Sequence, residues 1–374
     1  GMRKILLLAV MLVVWFLPGI PVSADTQEEI LAQSGADSIA VDEQTNSFLE
    51  DHAISFTDPQ SALTLSPKEL LCSMWNTFRA QLAAPLRLFF TLGLVVICSA
   101  FTSGLGDTIS DRGLSGAYGF LVVMVAVSVL LTPMEQCFSM VSDTMESGSR
   151  FMLSFAPVLS SILAAGGGVV SASVYQLAVF SLAELAVQLT CMYLMPLLRI
   201  LLALGIMDAV HPDFSFGSII RGVKRVAQWG LGLVMALFVG LQTVQGMVSA
   251  SADTVATKAT KFMLSSCVPV VGGAVSDAYT TLRGSMGVLR SGVGGVGILA
   301  LGAMVLPPIL LLGLYRLAVL AAGTLAELAG VRSLSKLLHS LEQVLSLALG
   351  MLCTFVFLLL LSTAIVMIAG GTGG

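Results

Sequence analysis

Glu184 lies inside an apolar run that extends from residue 174 to residue 195. An ionisable side chain in hydrocarbon is costly, so this position predicts a functional group or a structural pair. Arg199 is a candidate counter-charge. On one continuous helix a separation of fifteen positions corresponds to about 22 Å, so the two residues meet only if the chain turns at Pro196. A Glu184 that is protonated or paired for purely structural reasons is an equally good explanation.

A second acidic residue, Glu327, occurs in a copy of the same pentapeptide. Leu-Ala-Glu-Leu-Ala is found at 182–186 and at 325–329, and each copy follows a Leu-Ala-Val tripeptide. Internal repeats are common in transporter folds, which makes Glu327 a second candidate for an intramembrane polar group. Because the repeated letters are mostly Leu and Ala, chance similarity explains the match better.

A glycine-rich stretch offers another candidate pathway. It begins with Pro269, Gly272 and Gly273, continues through Asp277, and carries further glycines between 284 and 297. Glycine permits re-entrant backbone where protein or water shields it, and it permits close helix approach. The simpler alternative is a flexible loop followed by a tightly packed helix. A small-residue seam at 232, 236 and 240 likewise predicts close helix contact.

The remaining chemistry-bearing residues do not form a catalytic pattern. The three histidines are scattered, the six cysteines show no metal-ligand spacing, and no Ser/His/Asp set or phosphate-binding loop is present. No basic block points to nucleic acid. We therefore expect neither an enzyme nor a bound cofactor or metal.

The composition indicates where these residues must sit. Of 374 residues 56% are apolar and only 11% are charged, whereas soluble domains carry about 25% charged residues. The apolar residues form continuous runs of about 20, the length that crosses a hydrocarbon core of about 30 Å as a helix. The runs do not alternate, which argues against a β-barrel. The sequence predicts an all-α, polytopic transmembrane helix bundle.

The N-terminus has the features of a signal peptide over residues 1–24. Two basic residues, Arg3 and Lys4, precede an apolar stretch that ends at Leu17, and small residues precede Asp25. Cleavage after Ala24 is the favoured reading and an uncleaved anchor is the alternative. Both place residue 25 outside the cytoplasm.

Two shorter segments precede the membrane domain. Residues 25–65 are acidic and poor in aromatics, which predicts a weakly ordered external segment. The sequence Ser66-Pro67-Lys68-Glu69 then resembles a helix start, and apolar residues follow on one helical face. We expect an amphipathic interfacial helix over 66–85, with packing against a partner protein as the alternative. The polytopic membrane domain covers 86–374.

Charge placement limits the number of crossings. Clear spans occur at 87–106, 113–133, 226–248, 297–321 and 344–369, while 151–210 holds one crossing or three. Short basic clusters near 221–225 and 332–336 should be cytoplasmic. Starting outside, two crossings return the chain outside at 134–150, so the total is six or eight with both ends outside. Further amphipathic stretches at 275–286 and 331–345 should be interfacial or cover a neighbouring helix.

The order of these features resembles the stage III sporulation protein AE family of endospore-forming Firmicutes. The likeness covers essentially the whole mature chain. It rests on SPKELLCSMWNTFRAQLAAPLR (66–87), FMLSFAPVLSSILAAGGG (151–168), FSFGSIIRGVKRVAQWGLG (214–232) and FMLSSCVPVVGGAVSDAYTTLRGSMGVLRSGVGGVG (262–297).

This resemblance implies a membrane subunit of a channel-like or secretion-like complex between mother cell and forespore, needed for late forespore gene expression. The implied partners are other stage III sporulation membrane proteins, their ATPase and a forespore protein across the intermembrane space. The implied location is the mother-cell membrane around the forespore. A secondary transporter of a small solute and a scaffold for ring-forming partners are the alternatives, and self-association is left open.

Overall fold

The computed structural model describes residues 31–58, 61, 67–106, 112–210, 216–267 and 272–369, and its regular elements there are all helices. A 3₁₀ turn (Ala36–Ser38) precedes the first α-helix. The helices are α1 (Glu43–Asp51), α2 (Pro67–Gln81), α3 (Ala83–Gly106), α4 (Arg112–Ala165), α5 (Val169–Leu189), α6 (Met195–Val210), α7 (Gly217–Cys267), α8 (Gly272–Leu328) and α9 (Arg332–Ala369). The predicted all-α class is confirmed.

Six helical stretches in the described residues are long and apolar enough to cross a membrane: Cys72–Phe101, Tyr118–Ala165, Val169–Val210, Gly217–Phe262, Gly284–Leu328 and Arg332–Met367. The chain is thus a polytopic membrane protein. The ambiguous stretch 151–210 adds one crossing, because its first part ends α4 and the rest is one continuous helical run. Of the two predicted counts, six and eight, the structure agrees with six.

The helices are longer than a bilayer requires. Helices α4, α7 and α8 contain 54, 51 and 57 residues, which corresponds to about 76–86 Å against a hydrocarbon core of about 30 Å. Residues 134–150, which are predicted to lie outside, form the middle of α4 and not a separate connection between helices. Their polar positions occupy one face while Met134, Phe138 and Val141 are buried on the other, so packing continues the helix where hydropathy falls.

Two helical hairpins close on glycines with left-handed backbone. Gly167 (φ 88°) lies between α4 and α5, and Gly330 (φ 75°) lies between α8 and α9. In each hairpin the helix ends with a backbone bond that reaches five residues back, from Gly168 to Leu163 and from Val331 to Ala326. Side chains other than glycine rarely adopt this φ, which explains both short turns.

The prolines expected to break 151–210 lie within helical structure. Pro157 is inside α4. Pro196 is the second residue of α6 and follows a π-helical segment, Thr190–Leu194. A proline ring clashes with the carbonyl four residues earlier, and prolines and π turns are both sites where helices bend. The helical run nevertheless continues into α6, and Arg199 pairs with Glu135 and not with Glu184.

Helix α9 is the centre of the bundle and packs against α4, α5, α6, α7 and α8. The amphipathic stretch predicted at 331–345 is its first part, and the apolar face is buried: Leu334, Leu337, Leu338, Leu341 and Leu345. This stretch thus covers neighbouring helices, one of the two expectations for it. The stretch 275–286 is likewise continuous with α8.

The N-terminal segment 31–58, part of the stretch predicted to be external and weakly ordered, contains α1 and packs on the bundle. Helix α1 starts with Asp42, whose side chain accepts a hydrogen bond from the Thr45 amide. The Phe56 ring lies 6.4 and 6.1 Å from those of Phe151 and Phe155 on α4. Its few apolar residues suffice because they fall on one surface, where Leu31, Leu49, Ile54 and Phe56 are buried.

Helix α2 lies within the segment 66–85 that was predicted to be helical. It contacts α3 and α8. Met74 and Trp75 are exposed, and the Trp75 ring stacks on Phe78 at 5.7 Å. Its position at a membrane surface stays a prediction. The signal peptide predicted over 1–24 lies outside the described residues.

Candidate functional site

A polar cleft lies between α5, α7 and α9. Helix α7 contributes positions 242, 245, 246 and 249, which recur every three or four residues and so share one helical face. Helix α5 contributes Ser171 and Tyr175, and α9 closes the cleft with Ile365 and Val366. The space inside it is small, with a volume of about 20 Å³, which is room for about one water molecule. The lining combines apolar walls with several hydrogen-bonding groups.

Helix α7 presents its polar face to the bundle and its apolar face outward. Gln242, Ser249, Asp253 and Thr257 are buried on the inner face. The outer face carries exposed apolar side chains along its length: Val226, Trp229, Leu233, Leu237, Leu241, Val244, Met247, Val248, Val255 and Phe262. This is the reverse of a helix in a soluble protein and matches a helix with one side in lipid.

Hydrogen bonds hold the cleft together at its base. The Gln242 Nε2 donates to Ser362 Oγ at 2.9 Å, and both side chains are buried. The Tyr175 side chain is 2% exposed, and the Thr363 side chain is its hydrogen-bonding neighbour. The Thr363 hydroxyl itself donates to the Leu359 carbonyl at 3.1 Å.

Asp253, on α7, caps the N-terminus of a different helix, α5. Its carboxylate accepts from the amides of Val170 at 3.0 Å and Ser171 at 2.9 Å. Helix α5 needs this cap, because the residue before its first turn, Gly168, has no side chain to supply one. A carboxylate at a helix N-terminus also complements the helix dipole.

Other charged groups tie helix ends in the same way. The Arg290 Nη2 donates to the Met367 carbonyl at 3.0 Å, in the last turn of α9. Asp208, at the end of α6, accepts from the Gly217 amide at 2.9 Å, where α7 begins. Arg290 and Asp208 are both buried. These charges stabilise the bundle by satisfying backbone groups that have no partner within their own helix.

An ion pair joins α8 to α9 within their apolar stretches. The Arg316 Nε lies 2.7 Å from Glu342 Oε1, and the side chains are 40% and 14% exposed. Neither this pair nor the caps were predicted from the sequence. The available signal was the position of Arg316 inside the run 297–321 and the regular recurrence of polar residues on α7.

The structure does not bring the predicted Glu184 and Arg199 together. Glu184 is exposed on α5 and accepts a hydrogen bond from Gln188 Nε2 at 2.7 Å. Arg199 on α6 instead pairs with Glu135 on α4 at 3.4 Å, and both side chains are more than half exposed. Neither residue contributes to the polar cleft.

The two pentapeptide copies occupy different places. Glu184 lies within α5, whereas Glu327 is exposed in the last turn of α8. Because the positions are not equivalent in the fold, the structure gives no support to an internal repeat based on them.

The structure describes only some of the candidate residues in the glycine-rich stretch. Pro269 lies outside the described residues. Gly272 and Gly273 are the first two residues of α8, and Asp277 follows in the same helix, although its side chain is not among those described. The later glycines do permit close approach, because a methyl group at Gly297 would overlap the Phe155 ring of α4. The seam at 232, 236 and 240 is exposed, and a methyl group at Gly232 or Gly240 would meet open space, so that predicted contact is not made within the described chain.

Together, the six apolar helices and their charged caps define a polytopic α-helical membrane protein. The chain belongs to the stage III sporulation protein AE family, whose sequence model matches residues 56–370. One relative is the stage III sporulation protein AE of Bacillus subtilis (strain 168), 25% identical over 268 residues that cover 71% of this chain and 67% of the relative. No solved structure matches the chain. Membership in this family gives the protein a role in sporulation.

Proposed function

We propose that this protein is the polytopic subunit of a channel-like or secretion-like complex that joins mother cell and forespore and is required for late forespore gene expression. Family membership supports the sporulation role. The observation that carries the proposal further is the length of α4, α7 and α8, at 54, 51 and 57 residues. Such helices extend well beyond a hydrocarbon core of about 30 Å and provide surface for partner proteins.

The proposed location is the mother-cell membrane around the forespore, with the N-terminus outside the cytoplasm. Six crossings return the chain to the side on which it began. The basic residues Arg221 and Lys224 lie in the first turns of α7, and Arg332 begins α9, so they mark the same, cytoplasmic end of alternate helices. Segment 31–58 and the end of α9 then face the intermembrane space.

The proposed partners are other stage III sporulation membrane proteins, their ATPase and a forespore protein across the intermembrane space. Affinity purification of the full chain from sporulating cells should recover these membrane proteins in fixed ratios. Purification from vegetative cells that express the chain alone is the control. A chain that restores late forespore gene expression in a deletion strain yet purifies without partners would contradict the proposal.

A secondary transporter of a small solute is the second candidate, because the bundle contains a polar cleft. Glu184→Gln tests the form of this hypothesis in which Glu184 binds the solute. Since Glu184 is exposed and bonded only to Gln188 within the described contacts, we expect this variant to sporulate normally. Loss of solute uptake in reconstituted vesicles with an intact complex would favour a transporter centred on Glu184.

A scaffold that only anchors ring-forming partners is the remaining alternative, and we propose no catalytic activity for the chain under any of the three. A scaffold should tolerate substitutions inside the bundle that leave its fold and its partners unchanged. Gln245→Leu, which alters the cleft lining, should reduce late forespore gene expression if the interior of the bundle matters. Normal sporulation with full partner recovery would favour the scaffold.

A further inference from the structure

Helix α4 carries a line of polar side chains on the outer surface of the bundle. Its members are exposed and recur every three or four residues, so they share one helical face: Glu135, Ser139, Asp143, Glu146 and Arg150. We call these five residues the polar stripe. From its first member to its last it extends about 22 Å along the helix, which is most of a hydrocarbon core of about 30 Å.

Contacts with other helices place the polar stripe at the level of their apolar spans. The Ser149 Oγ donates to the Ala183 carbonyl at 3.5 Å, and Ala183 lies within the apolar run 174–195. A methyl group at Gly148 would lie 3.1 Å from the Phe355 ring, in the apolar span of α9. The stripe therefore lies where the neighbouring helices are built to cross hydrocarbon.

The side of the bundle formed by α7 is apolar at the same level. Gln242 of α7 bonds to Ser362 of α9. One turn later, a methyl group at Gly246 would lie 3.3 Å from the Ile365 side chain, so the two helices run in the same direction. Leu237, five residues before Gln242, is thus level with the middle of the α9 span, and it is 64% exposed. Lipid can solvate this side of the bundle but not the polar stripe.

Ion pairs within the chain indicate what faces the polar stripe. Arg150 pairs with Glu146 at 3.5 Å, and their side chains are 64% and 56% exposed. Arg199 on α6 pairs with Glu135 at 3.4 Å, and their side chains are 62% and 52% exposed. Charged groups at membrane depth face a bundle interior or a water-filled space, and these face outward. Because each has a counter-charge in its own chain, they require water and not a charged partner protein.

A single chain cannot enclose water on an outward face. Further copies of the chain have the same polar side and the same apolar side. A closed ring of copies turns every polar stripe toward a common centre and every α7 toward lipid. Such a ring removes the charges of all copies from lipid at once and needs no additional polar surface.

We propose that the polar stripe of α4, with Arg199 beside it, lines an aqueous pathway that the chain forms with further copies of itself. The outer face of α7 then lies on the lipid side of the assembly. This inference rests on the proposed channel-like function and deepens it, because it assigns the face of the chain that borders the channel.

Thiol accessibility tests whether water reaches the polar stripe. In a full-length background with the six native cysteines replaced, Asp143→Cys places a thiol in the stripe, and Leu237→Cys is the control on the apolar side at the same level. Each variant replaces the native chain in sporulating cells. The probe is a membrane-impermeant, charged methanethiosulfonate added to both sides of open membrane fragments. We expect the thiol at 143 to react at least tenfold faster, and a ratio near one overturns the proposal. Ser139→Cys supplies a second stripe position if Asp143→Cys does not accumulate.

Cross-linking tests whether a second copy lies across the pathway. Two copies with different epitope tags, both carrying Asp143→Cys, are produced together and treated with bifunctional methanethiosulfonates of increasing length. We expect a product that contains both tags, whereas Leu237→Cys pairs should give none. A thiol at 143 that reacts quickly but joins only a different protein, or joins nothing at any length, rules out a pathway between copies.

Partner recovery from the same membranes tests the proposed function separately. If the sporulation membrane proteins copurify in fixed ratios while the thiol at 143 stays unreactive, this inference alone fails. If a chain that restores late forespore gene expression copurifies with none of them, the proposed complex fails whatever the labelling shows.

Discussion

Asp253 shows how one side chain stabilises a helix to which it does not belong. It lies on α7, and it satisfies two free amides at the start of α5. The two partners are 83 and 82 residues earlier in the chain. A charged acceptor makes these bonds stronger than neutral ones. The cap therefore contributes both to the stability of α5 and to the contact between the two helices.

Replacement of Asp253 by Ala should destabilise the protein by about 1–2 kcal/mol, the usual cost of losing a cap. Asp253→Asn keeps one acceptor oxygen and should cost less. Thermal unfolding of the purified protein in detergent measures both changes.

The matched control is Ser251→Ala, an exposed position on the same helix whose hydroxyl donates only to the Met247 carbonyl one turn earlier. It should unfold like the parent. If Asp253→Ala were as stable as Ser251→Ala, the cap would have no energetic importance.

At the scale of single residues, sequence reasoning located charges but not their partners. Arg199 was a candidate counter-charge for Glu184, yet its partner is Glu135, which lies 64 residues away on α4. Arg290 and Met367 are 77 residues apart. Such pairs depend on how helices pack side by side, and a single sequence carries no signal for that packing.

At the scale of helices, the closest approach is that of α8 to α4 at Gly297. The Phe155 ring fills the space that a side chain at 297 would need. Phe155 is fully buried and stacks on Phe151 at 5.4 Å, so it has little room to move. Glycine at 297 is thus a condition for the two helices to pack as they do.

Gly297→Ala should therefore destabilise the protein by about 1–3 kcal/mol through overpacking. The denaturation midpoint in detergent, or the yield of monodisperse protein, measures the effect.

Gly295→Ala is the control two residues away, where a methyl group would meet open space. It should be neutral or stabilising by up to about 1 kcal/mol, because alanine favours a helix over glycine. Equal effects at the two positions would show that helix propensity, not the contact with Phe155, decides the outcome.

The existence of the helices was predictable, and several of their ends were not. Apolar runs located the crossings because about 20 apolar residues are what a membrane selects. They did not reveal that residues 134–150 continue α4, since that stretch is polar on its exposed side and buried on the other. Hydropathy averages over both faces of a helix, whereas packing depends on one.

At the scale of the whole molecule, six crossings fix which helix ends share a side of the membrane. Position 165, at the end of α4, and position 328, at the end of α8, lie at opposite ends of the bundle when the crossings alternate. Both residues are exposed.

In a cysteine-replaced background, Ala165→Cys should react with an impermeant thiol reagent from outside the cytoplasm. Leu328→Cys should react only after the membrane is permeabilised. Labelling of both thiols in intact cells would contradict an alternating six-helix topology, and labelling of Leu328→Cys alone would invert it.

The overall class and a choice between six and eight crossings followed from composition, run length and basic clusters. The polar cleft did not, because it is assembled from three helices that are far apart in sequence. Its polar α7 positions, Gln242, Gln245 and Ser249, recur every three or four residues within or beside an apolar span. That recurrence is the signal by which a sequence search could find a similar cleft.

The docked N-terminal segment behaves as a tethered ligand of the bundle. Segment 31–58 is held by the rings around Phe56 and by a hydrogen bond of 3.0 Å from the Ala40 amide to Ser154 Oγ. The eight residues 59–66 connect it to α2. A short tether keeps the local concentration of such a segment in about the millimolar range. Even weak contacts then keep its site on α4 occupied, and any competing protein must bind there strongly enough to overcome that local concentration.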